Sequence, residues 1–289
     1  MKIRRDAMKN QPSRRDFLKS GGFTAAAGTF LLTASAAHAD QTAGGPKALF
    51  NLGLASYTTR KFTLEQTLDM AKRAGLTYLS LKDMHLPLTA SAEDIQAATA
   101  KIRDAKITLY GGGVIYMKTA EEVNRAFDYA RAAGMKTIIG VPNHELLELV
   151  NQKAIEYDIE VAIHNHGPGD KLYPTPESVY EKVKGLDRRM GLCMDIGHTE
   201  RSGLKPDVDI QRFADRLLDV HLKDVSSSTK EGTTVEMGRG VIDIPAVLRA
   251  LLKFGYNRIA SFEYEKDDND PLPGLAESVG YTRGVLAAL

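Results

Sequence analysis

Four apolar runs in this chain end on side chains of the kind that bind metals. Glu160–Asn165 (EVAIHN) ends at His164, with His166 just beyond. Met190–Glu200 (MGLCMDIGHTE) delivers Asp195, turns at Gly197 and returns His198 toward the same point. Leu218–Asp224 (LDVHLKD) carries His221 and Lys223, and Ile259–Glu265 (IASFEYE) carries Glu263. Only 7 His are present, so this concentration at the ends of apolar runs implies strand ends converging on one cation. A cation so held acts as a Lewis acid toward an oxygen-bearing substrate.

The elements that must position these groups follow from the alternation of apolar runs with amphipathic segments, the pattern of repeated βα units. Strands are predicted at 50–56, 77–82, 106–111, 136–141, 159–164, 190–195, 217–222 and 258–263. Helices are predicted at 63–74, 91–104, 119–133, 144–157, 175–184, 207–215, 244–254 and 275–287. Thr63, Ser91 and the Thr119/Glu122 capping box start three of them, and Ala74-Gly75 and Ala133-Gly134 end two. Eight such units fit a single (β/α)8 TIM barrel over residues 40–289. A doubly wound open sheet is disfavoured, since no Gly-x-Gly-x-x-Gly follows the first strand. Gly111-Gly112-Gly113 reads instead as a place of close backbone approach.

Barrel enzymes work at the C-terminal ends of their strands, so position alone nominates further residues. These are Lys82, Asp83 and His85 at strand two, Asn165 and His166 at strand five, Asp224 at strand seven and Glu265 at strand eight. Five histidines thus fall at the mouth, leaving His38 near the N-terminus and His144 at a helix start. Asp267-Asp268-Asn269-Asp270 lacks the Gly and terminal Glu of an EF-hand loop and reads as a solvated rim.

Residues 1–39 read as a cleavable export signal: a basic start, the uncharged stretch 20–37 and Ala37-His38-Ala39 as the cleavage site. Arg14-Arg15 followed by Phe17-Leu18-Lys19 points to the twin-arginine (Tat) route, hence to the periplasm and to no stable membrane anchor. Residues 1–39 hold seven Lys/Arg against two Asp, so their removal takes the formal charge from +1 to −4. A mildly acidic chain has no electrostatic footprint for nucleic acid. Cys193, the single cysteine, lies in an apolar run and reads as a buried, inert thiol. Phosphorylated metabolites are scarce outside the inner membrane, so the expected partner is an unphosphorylated sugar.

The runs HNHG, DIGH, HLKD and FEYE, with Gly238-Arg239-Gly240-Val241-Ile242-Asp243 before the last helices, resemble the xylose isomerase-like TIM barrel family of sugar isomerases and epimerases. The resemblance extends from about Asn51 to Leu286. It implies a divalent cation, manganese first, with zinc, ferrous iron, cobalt or magnesium as alternatives. The implied ligands are His164, Asp195, His221 and Glu263. It further implies that His198 touches substrate beside the metal and that Lys223 and Arg239 orient substrate oxygens; His85, nominated by position, is the third candidate for binding substrate. Barrels of this family often pair, so a homodimer is the implied assembly.

One departure bears on mechanism. The family usually has Glu-Asn-His at strand five, where this chain has His164-Asn165-His166. Imidazole can replace carboxylate as a ligand, but the two-carboxylate proton shuttle of the epimerases loses one member. Glu263, His166, His198 and Lys82 are the remaining candidates for moving the proton. The enediolate formed by its loss has two fates. Reprotonation gives isomerisation or epimerisation, whereas expulsion of a β-group gives a lyase, or in reverse a hydratase, acting on 3-keto-glycosides or keto-sugars. A non-catalytic sugar-binding barrel is the alternative outside enzymology, and a metal-dependent endonuclease ranks last because it would need further ligands.

Overall fold

A computed structural model describes residues 50–289. The expected signal 1–39, its cleavage site and the location inferred from them lie outside the described residues.

Eight parallel strands close into a barrel. They are β1 (Asn51–Ala55), β2 (Tyr78–Leu81), β3 (Thr108–Met117), β4 (Thr137–Pro142), β5 (Glu160–His164), β6 (Met190–Asp195), β7 (Leu217–Leu222) and, after a hairpin of β8 (Asp224–Val225) with β9 (Thr234–Val235), β10 (Ile259–Phe262). Each strand pairs with its neighbour in the chain, and β10 pairs with both β7 and β1 to complete the ring. The outer layer comprises α1 (Leu64–Arg73), α2 (Ala92–Asp104), α3 (Ala120–Ala132), α4 (Leu147–Tyr157), α5 (Pro176–Val183), α6 (Ile196–Arg201), α7 (Pro206–Arg212), α8 (Ile244–Phe254) and α9 (Leu272–Ala288).

The helices begin where the sequence places oxygen-bearing caps. Thr63 accepts from the Gln66 amide while the Gln66 side chain returns to the Thr63 amide, and Thr119 and Glu122 form the same reciprocal box. These bonds satisfy amides that have no partner within a helix. Each helix then turns one apolar stripe inward; in α3 this is Val123, Ala126, Phe127 and Ala130. Strands β4, β6 and β7 are buried along their whole length, as parallel strands covered on both faces must be.

The strand–helix order matches the sequence expectation, with three local differences. Strand β3 runs six residues past its expected end, to Met117. A six-residue helix, α6, follows β6 directly, and the β8–β9 hairpin fills the segment after β7. The Gly111–Gly113 run lies inside β3 against β4; a Cβ on Gly111 would stand 2.7 Å from the Thr137 carbonyl oxygen, the close approach that the glycines indicated. At the opposite end of the barrel, the buried Arg216 guanidinium donates to the carbonyls of Lys184, Leu186, Asp187 and Met190, tying the loop before β6 to the start of β7.

Candidate active site

The ends of β5, β6, β7 and β10 carry His164, Asp195, His221 and Glu263 to one point. One donor atom from each lies within 4.8 Å of the others. His164 Nε2 is 3.1 Å from His221 Nδ1 and 3.6 Å from Asp195 Oδ2, and His221 Nδ1 is 3.4 Å from Glu263 Oε2. All four residues are buried.

Local bonds hold these side chains in place. Asp195 caps α6: its Oδ1 accepts from the His198 amide at 2.7 Å, while Oδ2, buried, accepts no hydrogen bond. One carboxylate therefore serves two ends, one oxygen structural and the other aimed into the cluster. Asn165 clamps the same residue, accepting from the Asp195 amide at 3.1 Å and donating to Thr199 Oγ1. Lys223 Nζ reaches into the cluster from the end of β7, 3.0 Å from Asp195 Oδ2 and 2.8 Å from Glu263 Oε2, and it also pairs with Glu265. Gly197 makes room for it, since a Cβ there would sit 2.7 Å from the lysine side chain.

Burial works against every charge here, and charge pairing decides which survive. Burial would raise Asp195 and Glu263, but the Lys223 ammonium leads the charges that hold both well below the usual carboxylate range. Burial lowers Lys223, yet Asp195, Glu263 and Glu265 keep its pKa well above that of an ordinary lysine. Burial likewise lowers His221, and is overcome by Glu263, Asp219 and Asp195, which raise it to about 9. At His164 burial outweighs the support of Asp195 and Glu263, and with the neighbouring imidazoles it pushes the ring down to about 4.

This donor set fits a divalent cation. Three carboxylates face one ammonium, which leaves two negative charges when the imidazoles are neutral. Three of the ligand-to-ligand distances, 3.1–3.6 Å, are those of donors each about 2.1 Å from a common ion, and all four donors lie within 4.8 Å of one another. Asp195 Oδ2, buried without a hydrogen bond and 3.0 Å from the Lys223 ammonium, is an acceptor that such an ion would satisfy.

A cavity of about 300 Å³ opens over the cluster, lined by Tyr57, Lys82, Val114, Tyr116, His164, His166, His198, Glu263 and Glu265. His166 Nε2 lies 3.2 Å from the Tyr116 hydroxyl, with the two rings stacked at 5.8 Å. Burial lowers the pKa of His166 and pushes His198 down to about 3, so both present neutral rings. Lys82 donates to the Val114 carbonyl at 2.7 Å and pairs with Asp83 at 3.2 Å, fixing its ammonium in the wall.

The structure thus brings together His164, His166, Asp195, His198, His221, Lys223, Glu263 and Lys82. It does not bring in His85 or Arg239. His85 is a satisfied interior residue: Nδ1 bonds Ser56 Oγ at 2.9 Å, and Nε2 bonds Thr67 Oγ1 at 3.1 Å and the Thr59 carbonyl at 3.3 Å. Arg239 points outward and is forked onto Glu277. Its flanking glycines serve Asp224, whose carboxylate accepts from the amides of Val225, Gly238, Gly240 and Ile242. A Cβ on Gly240 would collide with Asp224 itself. In the acidic tract, Asp268 pairs with Arg60 and Lys61 at the rim. Cys193 is fully buried, and burial holds its thiol well above the usual range, as an inert cysteine requires.

Sequence reasoning missed Tyr57 and Tyr116. Tyr116 was hidden by the underestimated length of β3, and Tyr57 sits on a 3-10 turn that follows β1 with no motif around it. Among the described residues, no helix is long and apolar enough to cross a membrane.

Comparison with known proteins agrees with this architecture. A family model described as xylose isomerase-like TIM barrel matches residues 41–285. The rhizopine catabolism protein MocC of Rhizobium meliloti is 29% identical over 152 residues, which is 47% of this chain and 46% of that protein. Inosose dehydratase of Klebsiella pneumoniae is 30% identical over 146 residues, 44% of this chain and 46% of the enzyme. The chain therefore spans about half the length of the curated relatives it matches. Among solved structures, the zinc-bound IOLI protein superposes with a TM-score of 0.70 at 18% identity, covering 83% of this chain and 99% of that one. L-ribulose 3-epimerase superposes with a TM-score of 0.68 at 17% identity, covering 83% and 95%. At such identities the likeness is one of fold. By the family match and the closed barrel together, the chain belongs to the xylose isomerase-like TIM barrel family.

Proposed function

We propose that this chain is a divalent-metal-dependent enzyme that removes a proton from the carbon beside a carbonyl of an unphosphorylated sugar or cyclic polyol. After that step, the neighbouring carbon loses an oxygen substituent. The reading rests on four buried donors converging beneath a polar cavity lined by two neutral imidazoles. A divalent cation held by His164, Asp195, His221 and Glu263 would supply Lewis acidity, stabilising the negative charge that forms on the substrate carbonyl oxygen.

The chain's own groups divide the remaining work. His166, neutral and at the cavity wall, accepts the proton. As the carbon–carbon double bond forms, the bond to the β-oxygen breaks and Lys82 donates a proton to the departing oxygen. Tyr57 and Tyr116 give the ring two aromatic walls. Lys82 faces Glu263 and Glu265 across the cavity, a balance that repels a phosphorylated substrate.

Elimination is favoured over epimerisation because neither carboxylate of a two-carboxylate shuttle is free. Strand five supplies His164, and Glu263 is held ionised and bonded by Lys223, which makes it a weak base. The resemblance to an inosose dehydratase supports the same choice. Epimerisation stays as a second reading on one observation: Lys82 follows β2 and His166 follows β5, so two proton-carrying groups approach from different arcs of the ring. For location, we infer export to the periplasm from the run Ser13–Lys19, testable by fractionation with and without Arg14→Lys/Arg15→Lys.

The test is proton NMR in heavy water with metal-loaded protein, offering an inosose, a 3-keto-glucoside and free ketohexoses. Loss of water or aglycone with an unsaturated keto product supports the elimination. Deuterium in a recovered sugar or its epimer, without elimination, supports epimerisation instead. Binding without either event would overturn the enzymatic reading in favour of a sugar-binding barrel.

A further inference from the structure

His198 stands between the metal cluster and a neighbouring pocket of about 410 Å³ formed by α6 and the β8–β9 hairpin. Its ring does not lie free between them. Arg201, one turn further along α6, places Nη1 3.3 Å from His198 Nδ1 and anchors Nη2 on the Lys230 carbonyl at 2.7 Å. A guanidinium can only donate. The contact therefore requires a lone pair on Nδ1, because a proton there would set two N–H groups against each other. A neutral imidazole carries one proton, which must then reside on Nε2.

We propose that Arg201 is a positioning residue that locks His198 in its Nε2-protonated form, so that His198 meets the substrate as a hydrogen-bond donor and not as a base. The backbone reinforces the lock: the His198 amide is capped by Asp195 Oδ1 at 2.7 Å, which fixes where the ring leaves α6. Among the described residues Nε2 has no hydrogen-bond partner, and the ring lines the cavity, so its proton is available to a substrate oxygen. Arg201 makes no ion pair among the described residues, which leaves this histidine as its side-chain partner. The role toward substrate rests on the proton-abstraction reading above, in which the base is then His166 alone. The tautomer itself does not depend on that reading.

The experiment is long-range proton–nitrogen correlation NMR on full-length protein with ¹⁵N-labelled histidine, the His198 signals being assigned by their loss in His198→Gln. The expected result is an unprotonated Nδ1 and a protonated Nε2. In Arg201→Met, with folding checked by thermal unfolding, the two tautomers should mix and an Nδ1–H signal should appear. Arg201→Lys, which can still donate, should restore at least part of the original pattern. A wild-type Nδ1–H, or a pattern unchanged in Arg201→Met, would overturn the proposal. Because no substrate enters this measurement, its outcome is independent of whether the chain eliminates, epimerises or only binds.

Discussion

Two aspartates near the mouth of the barrel, Asp195 and Asp224, sit in opposite environments. Asp224 closes β7's connection to the hairpin with every oxygen used: four backbone amides converge on its carboxylate. Asp195 spends one oxygen on a helix cap and leaves the other buried and unbonded among two imidazoles and an ammonium. The same division separates His85, bonded at both ring nitrogens to hydroxyls and a carbonyl of the fold, from His164 and His221, whose cluster-facing Nε2 and Nδ1 meet only each other and the carboxylates of Asp195 and Glu263. A buried polar group that is fully satisfied is holding the fold; one left short amid convergent donors is waiting for a ligand.

Exchanging the two aspartates should give the largest contrast. Asp195→Asn keeps the cap oxygen and leaves Lys223 paired with Glu263 and Glu265, so stability without metal should stay within about 1 kcal/mol. Its affinity for manganese or zinc should fall by more than about 100-fold, beyond what outer partners of a metal site typically cost. Asp224→Ala should do the reverse, losing about 2–4 kcal/mol in chemical denaturation as four amides lose their acceptor, with little change in metal affinity of the folded protein. Equal effects of the two on both measurements would dissolve the distinction.

Metal affinity should also depend on pH in a direction the cluster dictates. The surrounding carboxylates raise the folded-state pKa of His221 from 6.5 to about 9. Below that value the ring carries a proton that must leave when a cation binds, so affinity should drop about tenfold for each unit of pH lost through neutrality. Calorimetry in buffers of different ionisation enthalpy should detect about one proton released at pH 7. No release would mean that His221 is already neutral in the metal-free protein or is not a ligand.

How far the sequence revealed this site depended on what periodicity can carry. Apolar runs ending on His164, Asp195, His221 and Glu263 located the strands and the buried cluster together, because a barrel strand must both bury its length and finish at the mouth. Capping residues located the helix starts for a similarly local reason. His85 was misjudged because its place after β2 is visible in sequence, whereas its partners Ser56, Thr59 and Thr67 come from a different βα unit. Arg239 was misjudged for the same cause: the glycines around it answer to Asp224, fourteen and sixteen positions earlier. Tyr116 required the true end of β3, which glycines inside a strand obscure.

Smaller effects sharpen the comparison at these misjudged positions. His85→Ala should cost about 1–3 kcal/mol of stability in thermal or urea unfolding, through its orphaned hydroxyl partners, while metal affinity holds. Arg239→Ala should change stability by no more than about 0.5 kcal/mol and leave turnover intact, since it breaks only an exposed ion pair. A loss of turnover in Arg239→Ala would return that residue to the site.

The most direct measurement is anomalous diffraction from crystals loaded with manganese or zinc. The account expects one peak bonded to His164, Asp195, His221 and Glu263 together. An ion held elsewhere, such as by the acidic rim around Asp267 and Asp270, or a cluster with no peak at saturating metal, would contradict it.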